Sequence, residues 1–156
     1  MLSPSYDLGG ETKAFLGGYP VNSSNPTVIT AAGTGDATAV TGQSIDRLDY
    51  DSAVLVIGWV AALADTKSLK LAVEYQESSD NSSWDTAVAL QASAAVATSS
   101  GGTVEKGVTV FDLPLKARKR YIRFNFTPDL TASGTDTASL MAIAFLGGKR
   151  VTPIAN

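Results

Sequence analysis

The stretch between residues 108 and 126 places the strongest constraint on the fold of this chain. In its second half Ile122, Phe124 and Phe126 occupy every other position, with polar side chains between them. A two-residue period is typical of a half-buried β-strand, and it excludes a helix here. Pro114 lacks a backbone donor and marks a corner between this strand and the apolar run before it. The remaining strands must therefore supply an apolar layer that covers the Phe124 face.

Other segments predict strands of two kinds. Residues 69–76 alternate apolar and polar side chains, which predicts a strand with one wet face. Residues 53–60 and 138–146 are apolar on both faces apart from Ser139. For residues 53–60 this predicts a strand that is central in a sheet with both of its sides covered, or one that meets another chain on one side. The alanine-rich residues 87–90 and 94–97 predict two weaker strands, with a helix as the alternative. A turn is predicted at Thr127-Pro128-Asp129.

This pattern of about eight short strands between turns, without a long helix, predicts an all-β fold. We expect a single-domain antiparallel β-sandwich over residues 28–156, most simply an eight-stranded jelly roll. An immunoglobulin-like sandwich is the alternative, because sequence patterns do not fix strand order. Residues 1–27 contain three of the six prolines and two glycine pairs, so they predict either a disordered leader or an extended N-terminal arm. In an arm, Phe15 and Tyr19 would lie on another subunit as anchors.

The 156 residues include neither histidine nor cysteine. The commonest general base, imidazole and thiolate metal ligands, and disulfides are therefore all missing. Carboxylates for glycoside hydrolysis have no identifying spacing, so we expect no enzyme and no cofactor or metal; the candidates were Asp49, Asp51, Glu74 and Glu77.

Charge and hydropathy limit the partners. A net charge of −3 argues against nucleic acid as a partner, because phosphate binding needs a basic face. No run approaches the roughly 18 to 20 apolar residues of a membrane span, and the N-terminus lacks the layout of a secretion signal. We therefore expect a soluble, unprocessed chain without a membrane partner.

A group of cations follows Pro114, namely Lys116, Arg118, Lys119 and Arg120, with Arg123 close behind. One interpretation is a loop whose charges are simply solvated. The other is a patch that binds an acidic protein surface, since the guanidinium fork forms oriented pairs with carboxylates.

Two loops offer candidate ligand sites. The loop from Ser78 to Trp84 is similar to a type of hairpin found in many sandwich domains, including some that bind carbohydrate. In such a site a sugar would stack on Trp84 and Asp80 would accept hydrogen bonds from its hydroxyls. The same loop also works as a plain turn with Trp84 tucked against the sandwich. The aspartates 46, 49 and 51 could supply oxygens to calcium, but their spacing fits no known calcium loop, and a solvated acidic turn is the simpler interpretation.

Three stretches carry a family resemblance. The first runs from Ala31-Ala32-Gly33-Thr34-Gly35-Asp36 to Ile45-Asp46-Arg47, the second from Ser52-Ala53-Val54-Leu55-Val56 to Ser78-Ser79-Asp80, and the third from Lys119-Arg120-Tyr121-Ile122-Arg123 to Leu146-Gly147-Gly148. With them the chain resembles, over about residues 28–153, the small head-decoration or cement proteins of tailed bacteriophages and prophages.

The resemblance implies a jelly-roll protein, made in the host cytoplasm, that assembles as a homodimer or homotrimer on the outer surface of a phage head. There it would cement neighbouring major capsid subunits against the pressure of packaged DNA. Contacts to capsid or subunit would come from Phe15, Tyr19, Lys116, Arg118, Lys119 and Arg120. The alternative function is a carbohydrate-binding module of a phage tail or surface appendage, with Asp80 and Trp84 as its contacts.

Overall fold

A computed structural model describes residues 13–16, 27–30, 36–131 and 134–149. Within these ranges every regular element is a strand, which confirms the all-β prediction. The described residues form ten strands: β1 (Lys13–Leu16), β2 (Thr27–Thr30), β3 (Val40–Thr41), β4 (Ile45–Asp46), β5 (Tyr50–Ala62), β6 (Ser68–Ser78), β7 (Val88–Thr98), β8 (Val104–Pro114), β9 (Tyr121–Leu130) and β10 (Thr137–Lys149). The described part of the chain offers no helix that is long and apolar enough to cross a membrane.

The strands form two antiparallel sheets that face each other. Sheet A has the order β1-β10-β5-β8, with β2 pairing beside β1 on the same edge of β10. Sheet B has the order β3-β9-β6-β7, with β4 also pairing with β9. Four sets of pairs are nested along the chain: β6–β7 lies inside β5–β8, which lies inside the pairs of β9 with β3 and β4, and these lie inside the β2–β10 pair. This nesting is compatible with a jelly roll.

The core lies between the inner faces of the sheets. Ile122, Phe124 and Phe126 of β9 are completely or almost completely buried, as their period predicts. Leu55 and Ile57 of β5 are equally buried on sheet A. Removing such side chains from water contributes about 1.5 to 3 kcal/mol each, so this double layer is the main source of stability.

The strands that are apolar on both faces lie centrally in sheet A, but the described part of the chain covers only their inner sides. In β5 buried and partly exposed residues alternate from Ala53 onward. In β10 Met141 and Phe145 remain substantially exposed. Coverage on both sides is therefore not what the described residues show, and contact of the outer side with another chain stays a prediction.

The turn predicted at Thr127-Pro128-Asp129 is wrong, because β9 continues through these residues to Leu130. Pro128 pairs with Leu71 of β6 on one side. On the other side its carbonyl oxygen accepts a hydrogen bond from the Ala37 N–H at 2.9 Å. The ladder with β3 ends at Phe126, so the missing donor of Pro128 falls where no strand needs it.

The two alanine-rich segments are strand, as favoured, but they form the single strand β7 rather than two. This strand is the edge of sheet B, and its register with β6 shifts at several positions. The shifts arise at an edge where only one neighbour holds the strand in register.

Part of the predicted arm belongs to the sheet. β1 pairs with β10, and Phe15 is the register partner of Ala144. Tyr19 lies outside the described residues. A contact of either residue with another subunit stays a prediction, as does the boundary at residue 28.

Candidate functional site

The basic loop, residues 115–120, connects β8 to β9 at one end of the sandwich. Pro114 ends β8, as predicted. Leu115 then turns inward, where it is fully buried, and its N–H donates to the Asp51 carbonyl oxygen at 2.8 Å. A buried leucine at the start of the loop fixes how the following cations are presented.

Three of the four predicted cations are already paired within the chain. The pairs are Arg118 Nη1 to Glu77 Oε1 (3.1 Å), Lys119 Nζ to Asp85 Oδ1 (2.7 Å) and Arg120 Nη2 to Asp46 Oδ2 (2.7 Å). The pair with Asp46 raises the pKa of the Arg120 guanidinium. The surface is therefore one of mixed charge rather than a positive patch, and such solvent-exposed pairs add little to stability.

Glu77 is the residue that ties the loop most firmly to sheet B. Its Oε2 accepts the Lys119 N–H at 2.8 Å while Oε1 binds Arg118. The Arg118 guanidinium also lies 5.0 Å from the centroid of the Tyr75 ring. From the other side, Arg47 donates to the carbonyl oxygens of Arg118 and Lys119. The loop is thus held in one conformation by contacts from both flanks.

We expect Glu77→Ala to destabilise the domain by about 1 to 2 kcal/mol, because it removes the acceptor of two hydrogen bonds, one of them from a guanidinium. Urea denaturation measures the loss, and amide exchange at Lys119 should accelerate. Asp85→Ala is the matched control, since it breaks an exposed pair and should cost less than about 1 kcal/mol. Unchanged protection of the Lys119 amide would contradict this account of the loop.

The hairpin loop, residues 79–87, is organised by Asp80. Its Oδ1 accepts hydrogen bonds from the N–H groups of Ser82 and Ser83 at 2.9 and 2.8 Å and from the Ser78 hydroxyl at 2.9 Å. These bonds hold the pKa of Asp80 far below its ordinary range, and the bond from the Ser83 N–H contributes most to the lowering. Because the carboxylate form accepts them, the bonds persist above about pH 4 and are lost only as the pH falls towards that lowered pKa.

Trp84 lies beside Asp80, as a glycan site would require, but one of its faces is already used. The Arg123 guanidinium stacks 4.2 Å from the ring centroid. Arg123 Nε donates to Gln76 Oε1 at 2.9 Å, and Asn125 Nδ2 donates to the same oxygen at 3.0 Å. Partial burial lowers the pKa of Arg123. A depression of 210 Å³ lined by Asp80, Trp84 and Lys119 remains open on the solvent side.

The acidic turn is structural in its contacts. Asp46 Oδ1 accepts the Leu48 N–H at 3.0 Å, and both its oxygens bind Arg120. Among the described residues, no three histidine, cysteine, aspartate or glutamate side chains are grouped so as to hold a metal ion. The contacts of Asp46 are those of a residue that holds a turn and pairs with the basic loop.

The apolar face is the outer surface of sheet A. On β8 and β10 its members are Val108 (64% exposed), Val110 (54%), Met141 (45%) and Phe145 (39%). On β5 they are Val54, Val56 and Val60, around a shallow depression of 480 Å³ at Gly58. Sequence reasoning identified the surface on β5 and β10 but missed β8. The signal was there, because Val104, Val108 and Val110 share one phase of the strand period.

Comparisons with known proteins return similarity of fold. No family model matches the chain, and no curated protein does. Among solved structures, the chain is similar to the infectious bursal disease virus VP2 subviral particle, with a TM-score of 0.51 and 9% identity over 88% of this chain and 32% of that one. A weaker similarity is to the PBSX exported protein XepA, with a TM-score of 0.41 and 19% identity over 99% of this chain and 43% of that one. Another similarity is to a Clostridium thermocellum xylanase containing CBM22-1 and GH10 modules. It has a TM-score of 0.43 and 15% identity over 96% of this chain and 27% of that one.

The chain spans about a third of the length of the VP2 chain that it matches. At 9% identity the similarity establishes the β-sandwich fold alone.

Proposed function

We propose that the chain is a structural virion protein that decorates the outside of a phage head, as a homodimer or homotrimer, and cements neighbouring major capsid subunits. The observation that carries this proposal is the apolar face on a small sandwich. Monomeric proteins rarely leave a contiguous apolar patch larger than a few hundred Å² in water. A protein with such a surface is suited to a role that consists of binding other protein surfaces.

Three further points support the proposal. The chain resembles the head-decoration proteins in the stretches quoted above, and its fold is also used by a protein that forms viral particles. Its lack of histidine and cysteine suits a protein without a catalytic task. An oligomer that binds several equivalent capsid sites gains avidity of about a hundredfold or more from weak individual contacts.

We expect phage heads assembled without this protein to release their DNA at a lower temperature than complete heads. The reason is that fewer contacts then resist the internal pressure. Heating with a DNA-binding dye measures the release, and adding the purified protein back should restore the higher temperature. Heads that withstand heat and osmotic shock equally with and without the protein would refute the role.

The second candidate, a carbohydrate-binding module, is favoured by the depression beside Trp84. Only the indole face opposite Arg123 is available to a sugar ring. Trp84→Ala should then abolish retention on a glycan array while leaving the far-UV circular dichroism unchanged. Failure of the wild-type chain to bind any glycan removes this candidate.

A further inference from the structure

We propose that the apolar face pairs with the same face of a second copy of this chain. The two copies are related by a twofold axis that lies between their facing A sheets and runs perpendicular to the strands. The inference deepens the proposed function, which leaves the oligomer and its interface open. The pairing itself is a property of the isolated chain, so it is testable without a phage head.

The first argument is the size of the face. Sheet A is four strands across, in the order β1-β10-β5-β8. At a strand spacing of about 4.8 Å its outer surface is about 19 Å wide. Nine residues of a strand extend about 30 Å. The resulting area of roughly 600 Å², before corrugation is counted, approaches the roughly 800 Å² per partner of a stable interface.

The second argument is the register of the outer side chains. Val108, Gly58 and Met141 lie in one row across the sheet. Val110, Val56 and Ile143 lie in the next outward row. If the axis passes between these rows, each row faces the other row of the second copy. Gly58, where an added Cβ would meet no atom within 4 Å, then faces Val56. The depression in one copy thereby receives a side chain of the other.

The third argument is charge. The outer side of β8 carries one cation and one anion, Lys106 and Asp112, on either side of Val108 and Val110. Both side chains are exposed, and each lies the same number of residues along β8 from the axis, in opposite directions. The same axis therefore places Lys106 of each copy near Asp112 of the other. Sheets that pack face to face lie about 10 Å apart and rotated by about 30°, an offset that a lysine side chain can span.

Sedimentation equilibrium of the full chain tests the pairing. We expect a mass of about 32 kDa, twice the 16.1 kDa of one chain. Val108→Glu should raise the dimer dissociation constant on the order of 100-fold, because a carboxylate would be buried against apolar side chains. Val110→Glu is a second variant with the same expected effect, in case the first does not fold.

Val88→Glu is the matched control. Val88 is as exposed as Val60, at 48%, but lies on the edge strand of sheet B. It should leave the dissociation constant unchanged. The proposal is overturned if the wild-type chain stays monomeric at about 100 times the protein concentration of a dilute spectroscopic sample. It is also overturned if the wild-type chain forms a trimer. A dimer that both glutamate variants leave intact overturns it as well.

Charge reversal tests the direction of the axis. Lys106→Glu and Asp112→Lys should each weaken the dimer about three- to tenfold, since each places like charges together. The double variant should recover most of the affinity. Additive weakening in the double variant would contradict the twofold arrangement. These results are separable from the proposed function: a dimer without effect on heads refutes only the decoration role, and a head-binding monomer refutes only the dimer.

Discussion

Replacing Phe124 by alanine is expected to lower the free energy of unfolding by about 3 to 5 kcal/mol. Phe124 is fully buried on the inner face of β9, and its register partner on β6 is Tyr75, which is also buried. The loss has two parts. The variant no longer gains the free energy of burying the ring, and the ring leaves a cavity that a rigid sandwich cannot close. Since a whole domain is stable by only about 5 to 15 kcal/mol, this single change removes a large share of the total.

Urea denaturation followed by circular dichroism measures this effect. Leu48→Ala is the surface control, because Leu48 is more than half exposed and its loss should cost about 0.5 kcal/mol or less. Phe124→Leu keeps much of the side-chain volume, so its loss of unfolding free energy should lie between those of Phe124→Ala and Leu48→Ala. Equal losses for Phe124→Ala and Leu48→Ala would mean that the core is not where these residues place it.

Gly107→Ala is expected to destabilise the sandwich by about 1 to 3 kcal/mol, although alanine usually stabilises a strand relative to glycine. A Cβ at this position would lie 2.5 Å from Cζ2 of Trp59, closer than carbon atoms can approach. Trp59 is held there by burial and by the hydrogen bond from its Nε1 to Thr109 Oγ1 at 3.3 Å. Either the ring or β8 must move, so the substitution tests how closely these two strands pack.

Thermal unfolding measures the cost, and fluorescence in a Trp84→Phe background reports on Trp59 alone. The control is the double variant Trp59→Leu/Gly107→Ala. Removing the ring removes the clash, so the two changes should be non-additive, with the methyl group tolerated once the indole is gone. A neutral Gly107→Ala variant would show that the indole does not lie over the strand.

The basic loop illustrates a contact that sequence reasoning misses. Four cations in five positions are evident from the sequence, and so is the corner at Pro114. Their carboxylate partners are distant along the chain: Glu77 is 41 positions from Arg118, and Asp46 is 74 positions from Arg120. Only the pairing of β9 with β4 and β6 brings these residues together. Residue types alone therefore suggest a free charge patch, whereas the fold pairs three of its four cations with carboxylates.

The sequence by itself determined the fold class, because the two-residue period of β6 and β9 specifies strands whose alternate side chains must be buried. It also determined the positions of the basic corner and of the hairpin loop, since proline, aspartate and serine act on their own backbone. Which of two apolar surfaces of β5 and β10 is covered was decided by tertiary structure. The period is identical on both sides of such a strand, and only the docking of sheet B against one side leaves the other exposed. The exposed face depends on which long-range pairs form, and that information is not local to any stretch of the chain.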